Sequence, residues 1–334
     1  MTPKVRFVAS DPFGGGNLRS FWPSAALAGR GWQTRCEMHT PTPVVGEYDA
    51  IIVHRPLFLA FPDKLMAYKR AGFKVFVDED DDLTRIHQTK NEIGLQEWVP
   101  SAVAAHDVAM TIADGVTVST PQLAEVYRHL NHNIYVCRNY LPNDYSSVKW
   151  YGRRRSTDVR VHWAGITQTH RHDLEWIAPV FDTLMRGAMF STIGDRKTPS
   201  ILGYGGEYEV EEFVADPMEL YQHMARGDVG IVPLLPNEFN QAKSWLKALE
   251  YLTVGVPVVA TDLPEQRALI THGVEGFLAS TPEEFASYVQ MLVWDPAMRE
   301  TMGAAARKRG KELRIEEQVG EWETALSSVL SVGV

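Results

Sequence analysis

Cysteine is scarce in this sequence, with 2 in 334 residues. Cys36 and Cys137 cannot build a disulfide framework, which fits a reducing cytoplasm. Long hydrophobic runs are also missing. The longest apolar stretches, such as Val254–Ala260, fall far short of the ~20 residues that cross a bilayer, so no transmembrane segment is expected. The opening MTPKVRFVASDPFGGG lacks the extended apolar core of a signal peptide and reads directly as a first strand. Positive charge is not in excess: the formal net charge is −9, which argues against a general nucleic-acid or membrane-surface binder. No fixed-period repeat is present, so a solenoid is excluded.

What is there suits a globular chain, with 45% hydrophobic and 22% charged residues. A single core rarely grows past ~250–300 residues, so two domains are expected. Short apolar runs alternate with helical stretches. Strands are expected at Val5–Ala9, Ala50–His54, Lys74–Val77, Gly115–Ser119 and Asn133–Cys137, with helices at Ser20–Gly31, Asp63–Ala71 and Pro121–Leu130. The pattern breaks near Asn139–Gly152, which is rich in turn formers and charge and reads as a linker. It then restarts, with strands at Asp158–Ala164, Met189–Gly194, Val229–Pro233 and Pro257–Thr261, and helices at Leu174–Arg186, Pro217–Arg226, Ala242–Thr253 and Pro282–Leu292. Such alternation predicts an α/β fold of two doubly wound, Rossmann-like domains over residues 1–150 and 151–312, facing a cleft. Ligands in such folds sit at the carboxyl ends of the strands. A final helix, residues 313–334, carries Val319, Trp322, Leu326 and Leu330 at helical spacing.

Four segments carry candidate chemistry. In NQAKSWLKALEYLTVGVPVVATD (Asn240–Asp262), Lys243, Lys247 and Glu250 fall along one helical face. A helix start beside Lys243 suits a diphosphate; solvated lysines on an amphipathic helix are the plainer alternative. In TQTHRH (Thr167–His172), Arg171 can pair bidentately with phosphate oxygens and His170 can donate to them; a surface loop is the alternative. Gly14–Gly16 with Asn17 follow the first strand and permit close backbone approach to a ligand, and Arg19 is adjacent. They do not form the spaced glycine pattern of a dinucleotide site. VDEDDDL (Val77–Leu83) invites a Mg²⁺ reading, but mutual repulsion among five contiguous carboxylates requires most of them to be solvated. Asp78 at the strand end is the candidate to face the cleft as a base, beside His54, Arg55 and Asp80. No metal site is expected.

KALEYLTVGVPVVATD, followed by LITHGVEGFLA at Leu269–Ala279, resembles the donor-binding signature of retaining GT-B glycosyltransferases of family 4. ADGVTVSTPQLAE, NIYVCRNYLP, VHWAGITQTHRHDL and RGDVGIVPL resemble further pieces of that family, in the family's order. The resemblance implies a GT-B fold whose last helix crosses back to the first domain. It implies a hexose moved from a UDP- or GDP-linked sugar, without cofactor or metal, the leaving phosphate helping to deprotonate the acceptor. It places Gly15, Gly16, Gly165, His170, Arg171, Lys243, Ser244, Lys247 and Glu250 at the donor. Glu250 matches the second glutamate of the family's paired-glutamate element and would bind ribose; the first falls on Ala242, so Glu238 or a backbone group would substitute. His54, Asp78, Arg171 and Lys243 are the catalytic candidates, and Asn17, Arg19, Arg55 and Asp80 the acceptor-side ones. Residues 1–150 hold 15 Lys and Arg against 16 Asp and Glu, and the remainder 18 against 26, which leaves an anionic acceptor open. Glycan, lipid-linked, protein and modified DNA base acceptors all remain, the last in a phage-type member. A non-catalytic nucleotide-sugar or glycan binder and a sugar-nucleotide epimerase are the rival functions.

Overall fold

The structure is a computed structural model and describes residues 3–57, 60–88, 99–148 and 159–330. The first domain holds a sheet of six parallel strands: β1 (Lys4–Val8), β2 (Gln33–Glu37), β3 (Ala50–His54), β4 (Lys74–Glu79), β5 (Gly115–Val118) and β6 (Ile134–Val136), in the order β2-β1-β3-β4-β5-β6. The second holds β7 (Val159–Ala164), β8 (Ala188–Gly194), β9 (Tyr208–Glu212), β10 (Val229–Val232), β11 (Val258–Thr261) and β12 (Gly276–Ala279), in the order β12-β11-β10-β7-β8-β9. All pairings are parallel. Central strands such as AIIVH and VGIV are buried along their whole length, because helices cover both faces of a parallel sheet. The strand order reverses between β1 and β3 in one sheet and between β7 and β10 in the other. These are the switch points at which such sheets open a ligand crevice.

Most expected elements stand within a few residues of their predicted bounds. Strands β2, β9 and β12 were not expected: QTRCE and YEVEE are polar, as edge strands tend to be, with side chains half-buried in β2 and mostly exposed in β9, whereas GFLA in β12 is short and mostly buried. Helices Val99–Ile112 and Pro296–Glu312 are also additional. The helix expected over Ala242–Thr253 starts at Leu246 and ends on Gly255, which takes the left-handed conformation at φ 76°. The helix expected from Leu174 begins seven residues earlier, at Thr167.

The expected boundary between residues 150 and 151 lies outside the described residues. The linker before it includes a short helical turn at Asn143–Ser147. Where the chain returns, Leu141 and Arg314 form a parallel bridge, and Ile315 N–H donates to the Leu141 carbonyl. The last helix, Gly320–Leu330, packs on the first domain, against helix Trp22–Gly29 and the β5 and β6 strands. Trp322 anchors it: the side chain is fully buried, with its ring 5.8 Å from Phe7. Among the described residues no helix is long and apolar enough to cross a membrane.

Candidate active site

The carboxyl edges of the two sheets face one another across a cavity of about 450 Å³. Gly14 and Gly15 after β1, Arg55 after β3, and Asp80 and Asp81 after β4 line one side. His170 after β7, and Lys243, Ser244 and Lys247 after β10, line the other.

The second-domain wall is built around the start of helix Leu246–Val254. Lys243 and Ser244 lie in the turn between that helix and the short helix Glu238–Gln241. Lys243 is therefore not in the helix's first turn, as expected, but just ahead of it, with its ammonium 4.9 Å from the centre of the Phe239 ring. N–H groups in a helix's first turn have no intrahelical acceptor. Here that turn, with two lysines beside it, opens onto the cavity. Glu250 is buried behind Lys247. Its Oε2 sits 2.8 Å from Lys247 Nζ, close enough for an ion pair but poorly aligned for a hydrogen bond, and its Oε1 accepts a long 3.4 Å bond from Tyr221.

Ala242 has a structural reason to be small. It is 3% exposed and packs into the first domain's core. Its carbonyl accepts a 2.9 Å hydrogen bond from Thr120 Oγ1. Thr120 also caps helix Pro121–Tyr127 by accepting from Leu123 N–H. A glutamate at 242 would drive a carboxylate into that contact. Glu238, the expected substitute, pairs instead with Arg85 at 2.9 Å and does not line the cavity.

The segment Thr167–His172 is not a loop but the first turns of a helix. Its N-terminus already holds an anion. Asp195 Oδ2 accepts from Thr167 N–H at 2.8 Å and from Thr167 Oγ1 at 2.6 Å. The phosphate position expected there is thus taken by a carboxylate of the chain itself. Arg171 points outward, exposed, and pairs with Glu175 at 2.8 Å; it is not brought into the cleft. His170 is. Its Nδ1 lies 2.8 Å from Asp173 Oδ2, and burial pushes its pKa down, with Asp173 opposing and Lys243 adding to the effect. Gly165 leaves room for Trp163, whose ring would stand 2.6 Å from any β-carbon there.

On the first-domain wall the glycines begin a helical run rather than forming a turn. Asp11 caps it, accepting from Phe13 and Gly16 N–H groups. Gly16 is buried, and a β-carbon there would meet the Asp11 carbonyl oxygen at 1.8 Å; its role is in packing. Gly15 faces His54, whose Cε1 would lie 3.0 Å from a β-carbon. Asn17 is half-buried and does not line the cavity.

The acidic run is not solvated, contrary to expectation. Asp78 and Glu79 are fully buried, and cations from elsewhere neutralise the run. Asp78 is locked to Arg19, with Nη2 to Oδ1 at 2.7 Å and Nε to Oδ2 at 3.0 Å, and Thr117 also donates to it. Neither Asp78 nor Arg19 reaches the cleft, so Asp78 is not placed as a base nor Arg19 as an acceptor contact. Arg55 gathers Glu79, Asp80 and Asp81, at 3.2, 2.6 and 2.7 Å. It does so from a left-handed backbone, φ 50°, that non-glycine residues rarely adopt. His54 spans Ser10 Oγ at 2.9 Å and Asp80 Oδ1 at 3.2 Å. Burial alone would raise the Asp80 pKa, but Arg55 and His54 hold it well below the usual carboxylate range. Among the described residues no group of three or more His, Cys, Asp or Glu is arranged to hold a metal ion.

Several residues of the site escaped sequence reasoning. Asn139 takes a bond from Arg19 and gives one to Ser244 Oγ at 3.1 Å, so it connects the two walls. Asp173 binds Leu235 N–H and Asn240 as well as His170. Each acts through partners distant in sequence, which no local spacing announces.

Two parallel sheets meeting across a cleft at their carboxyl edges, with a terminal helix returning to the first domain, define the GT-B class of fold. Residues 158–295, which include the second-domain wall of the cleft, match the family described as Glycosyl transferases group 1. A stretch of 66 residues is 41% identical to TuaH of Bacillus subtilis strain 168, a glycosyltransferase assigned to teichuronic acid biosynthesis; that alignment spans 19% of this chain and only 17% of the relative. Among solved structures, sucrose-phosphate synthase from Thermosynechococcus elongatus superposes over 100% of both chains at TM-score 0.69 and 13% identity. Anabaena Alr3699/HepE in complex with UDP and glucose covers 98% of this chain and 100% of its own, at TM-score 0.66 and 16% identity. A glycosyltransferase from Rickettsia africae covers 99% of each chain, at 0.67 and 11%. At such identities these likenesses speak to fold. The GT-B fold thus extends over the whole chain, and the match to the glycosyl transferase family falls within its second domain.

Proposed function

We propose that this chain transfers a hexose from a nucleotide diphosphate sugar to an acceptor hydroxyl, with retention of configuration. The observation that carries this is the pairing of walls. A helix start flanked by Lys243, Ser244 and Lys247 opens onto the same cavity as the glycine backbone at Gly14 and Gly15. Backbone N–H groups and ammonium groups aimed at one point suit a diphosphate and stabilise the charge that grows on it as the sugar leaves. No metal is needed in this scheme, since the lysines supply the cations. Neutral His170 gives its single N–H, at Nδ1, to Asp173, so its other ring nitrogen can only accept. Glu250, released from Lys247 as phosphate draws the ammonium away, accepts from the ribose. UDP is the favoured nucleotide, because HepE, which shares the fold over its whole length, is described with UDP and UDP-glucose; GDP is the alternative.

The acceptor enters from the first domain, past Gly14 and Arg55. Its class stays open among glycans, lipid-linked sugars, proteins and modified DNA bases. The acceptor proton goes to the leaving phosphate. Asp80, held ionised by Arg55 and His54, is too weak a base to take it. A cytoplasmic setting is proposed on the two unpaired cysteines alone.

The test is calorimetric titration with UDP, GDP, UDP-glucose and GDP-mannose, with Glu250→Ala as control. Micromolar binding of one nucleotide, sharply weakened by the substitution, supports the donor site. Folded protein that binds none of the four removes it.

A further inference from the structure

The cavity has two chemically different walls. The second-domain wall presents Lys243, Lys247 and His170; among the described residues the only carboxylates lining the cavity, Asp80 and Asp81, stand on the first-domain wall. A sugar ring is recognised through its hydroxyls, and ionised carboxylates are the strongest acceptors for them. Among the described residues the second-domain lining leaves none for the transferred sugar. Ala242 is sealed against Thr120, Glu238 is turned to Arg85, and Glu250, behind Lys247, is taken up by the ribose in the scheme above.

Asp80 is built to fill that need. Arg55 and His54 both hold its Oδ1, at 2.6 and 3.2 Å, while Oδ2 has no hydrogen bond among the described residues. The carboxylate is thereby fixed in orientation with one oxygen to spare. Arg55 is itself anchored on Glu79 and Asp81 from a strained backbone, and such strain persists where the surroundings over-determine a position. Through His54, Asp80 is coupled to Gly15, the glycine that faces the diphosphate in the scheme above. A group attached to that diphosphate would meet Asp80 next.

We propose that Asp80 Oδ2 is the hydroxyl acceptor that reads the donor's sugar, delivered by the first domain across the cleft and oriented by Arg55 and His54. This rests on the donor site proposed above. It assigns sugar selectivity to a residue outside the nucleotide-binding domain. Hence the sugar is gripped only when the two domains are closed, whereas the nucleotide is held by the second domain.

The experiment compares the dissociation constant of UDP with that of UDP-glucose and UDP-N-acetylglucosamine, and of GDP with GDP-mannose, in the wild-type protein and in Asp80→Asn, without acceptor. The asparagine keeps the shape but gives up the charge. For the preferred donor, the nucleotide-sugar to nucleotide ratio of dissociation constants should rise about tenfold in Asp80→Asn, as loss of one charge-assisted bond implies. The nucleotide alone should bind within about twofold of wild type, which also reports an intact fold. Asp80→Glu, which retains charge but displaces the carboxylate, should raise the ratio too, and serves alone if Asp80→Asn does not fold. An unchanged ratio, or equal weakening of nucleotide and nucleotide-sugar, overturns the assignment to Asp80. Wild-type protein that binds no nucleotide overturns the donor site itself.

Discussion

Arg19 and Asp78 face each other in a fully buried, two-pronged ion pair, 2.7 and 3.0 Å across its two contacts. Arg19 also donates to the Cys137 carbonyl and to Asn139, and its guanidinium lies 5.1 Å from the centre of the Trp322 ring. The pair thus joins the glycine-started helix, the end of β4, the segment after β6 and the returning C-terminal helix.

Removing one partner leaves an uncompensated charge in the interior, which costs about 3–5 kcal/mol. Asp78→Asn and Arg19→Met are each expected to lower unfolding stability in urea by that order. Nucleotide affinity of the folded fraction should stay near wild type. If Asp78→Asn instead keeps full stability and loses turnover, Asp78 is the base that its place at the strand end first suggested.

Ala242→Glu restores the acid that the resemblance leads one to expect, yet it should harm the protein. The new carboxylate would enter a nearly sealed contact between the domains and break the Thr120 bond. The expected outcome is a more open molecule, seen as a larger radius of gyration by small-angle X-ray scattering, and nucleotide-sugar affinity lowered roughly tenfold or more. Tighter binding of the sugar nucleotide by this variant would show that the site merely lacks a ligand at 242.

The sheet cores were legible because runs such as AIIVH and VGIV are apolar throughout, and the helix stop at Gly255 was legible because glycine tolerates its backbone there. Edge strands β2 and β9 were not, since half-solvated strands carry no continuous apolar signal. Of the residues that line the cavity, Lys243 and Lys247 were named from their spacing along a helical face, His170 from its place between strand and helix, and Ser244 from the family resemblance. What spacing could not give was direction. Arg171 and His170 are neighbours on one helix, and the helical rotation alone sends one to solvent and the other to the cleft. Nor could it show that a cation from β3 or the first helix would neutralise the acidic run.

Lys243→Ala should weaken UDP binding by about 10–100-fold, the loss of one charge-assisted contact of ~1.5–3 kcal/mol. The effect should shrink markedly for UMP, which offers less charge to the site. Arg171→Ala should change neither, because that side chain is exposed and turned to Glu175. An equal loss for UDP and UMP would place Lys243 away from the outer phosphate. A strong effect of Arg171→Ala would return the helix at Thr167 to the binding surface despite its Asp195 cap.

Acid should unfold the second domain through His162. This residue is buried in β7, with Nδ1 2.9 Å from the Tyr251 hydroxyl. Burial, aided by His223, Lys247 and other nearby cations, pushes its pKa from 6.5 to about 3. A folded-state pKa below the unfolded one means that the unfolded chain binds the proton first. The stability that neutral His162 contributes is therefore full above pH 6.5 and is lost as pH falls towards 3. One such group costs about 1.4 kcal/mol per pH unit across that window. His170, also lowered by burial, acts in the same direction. Urea unfolding measured from pH 7 to pH 4 should show stability declining from about pH 6.5 downward. His162→Asn should flatten the slope by close to one proton, even if its stability at pH 7 is lower. A slope unchanged by the substitution would mean that His162 titrates alike in the folded and unfolded chain, and that its burial against Tyr251 does not keep it neutral.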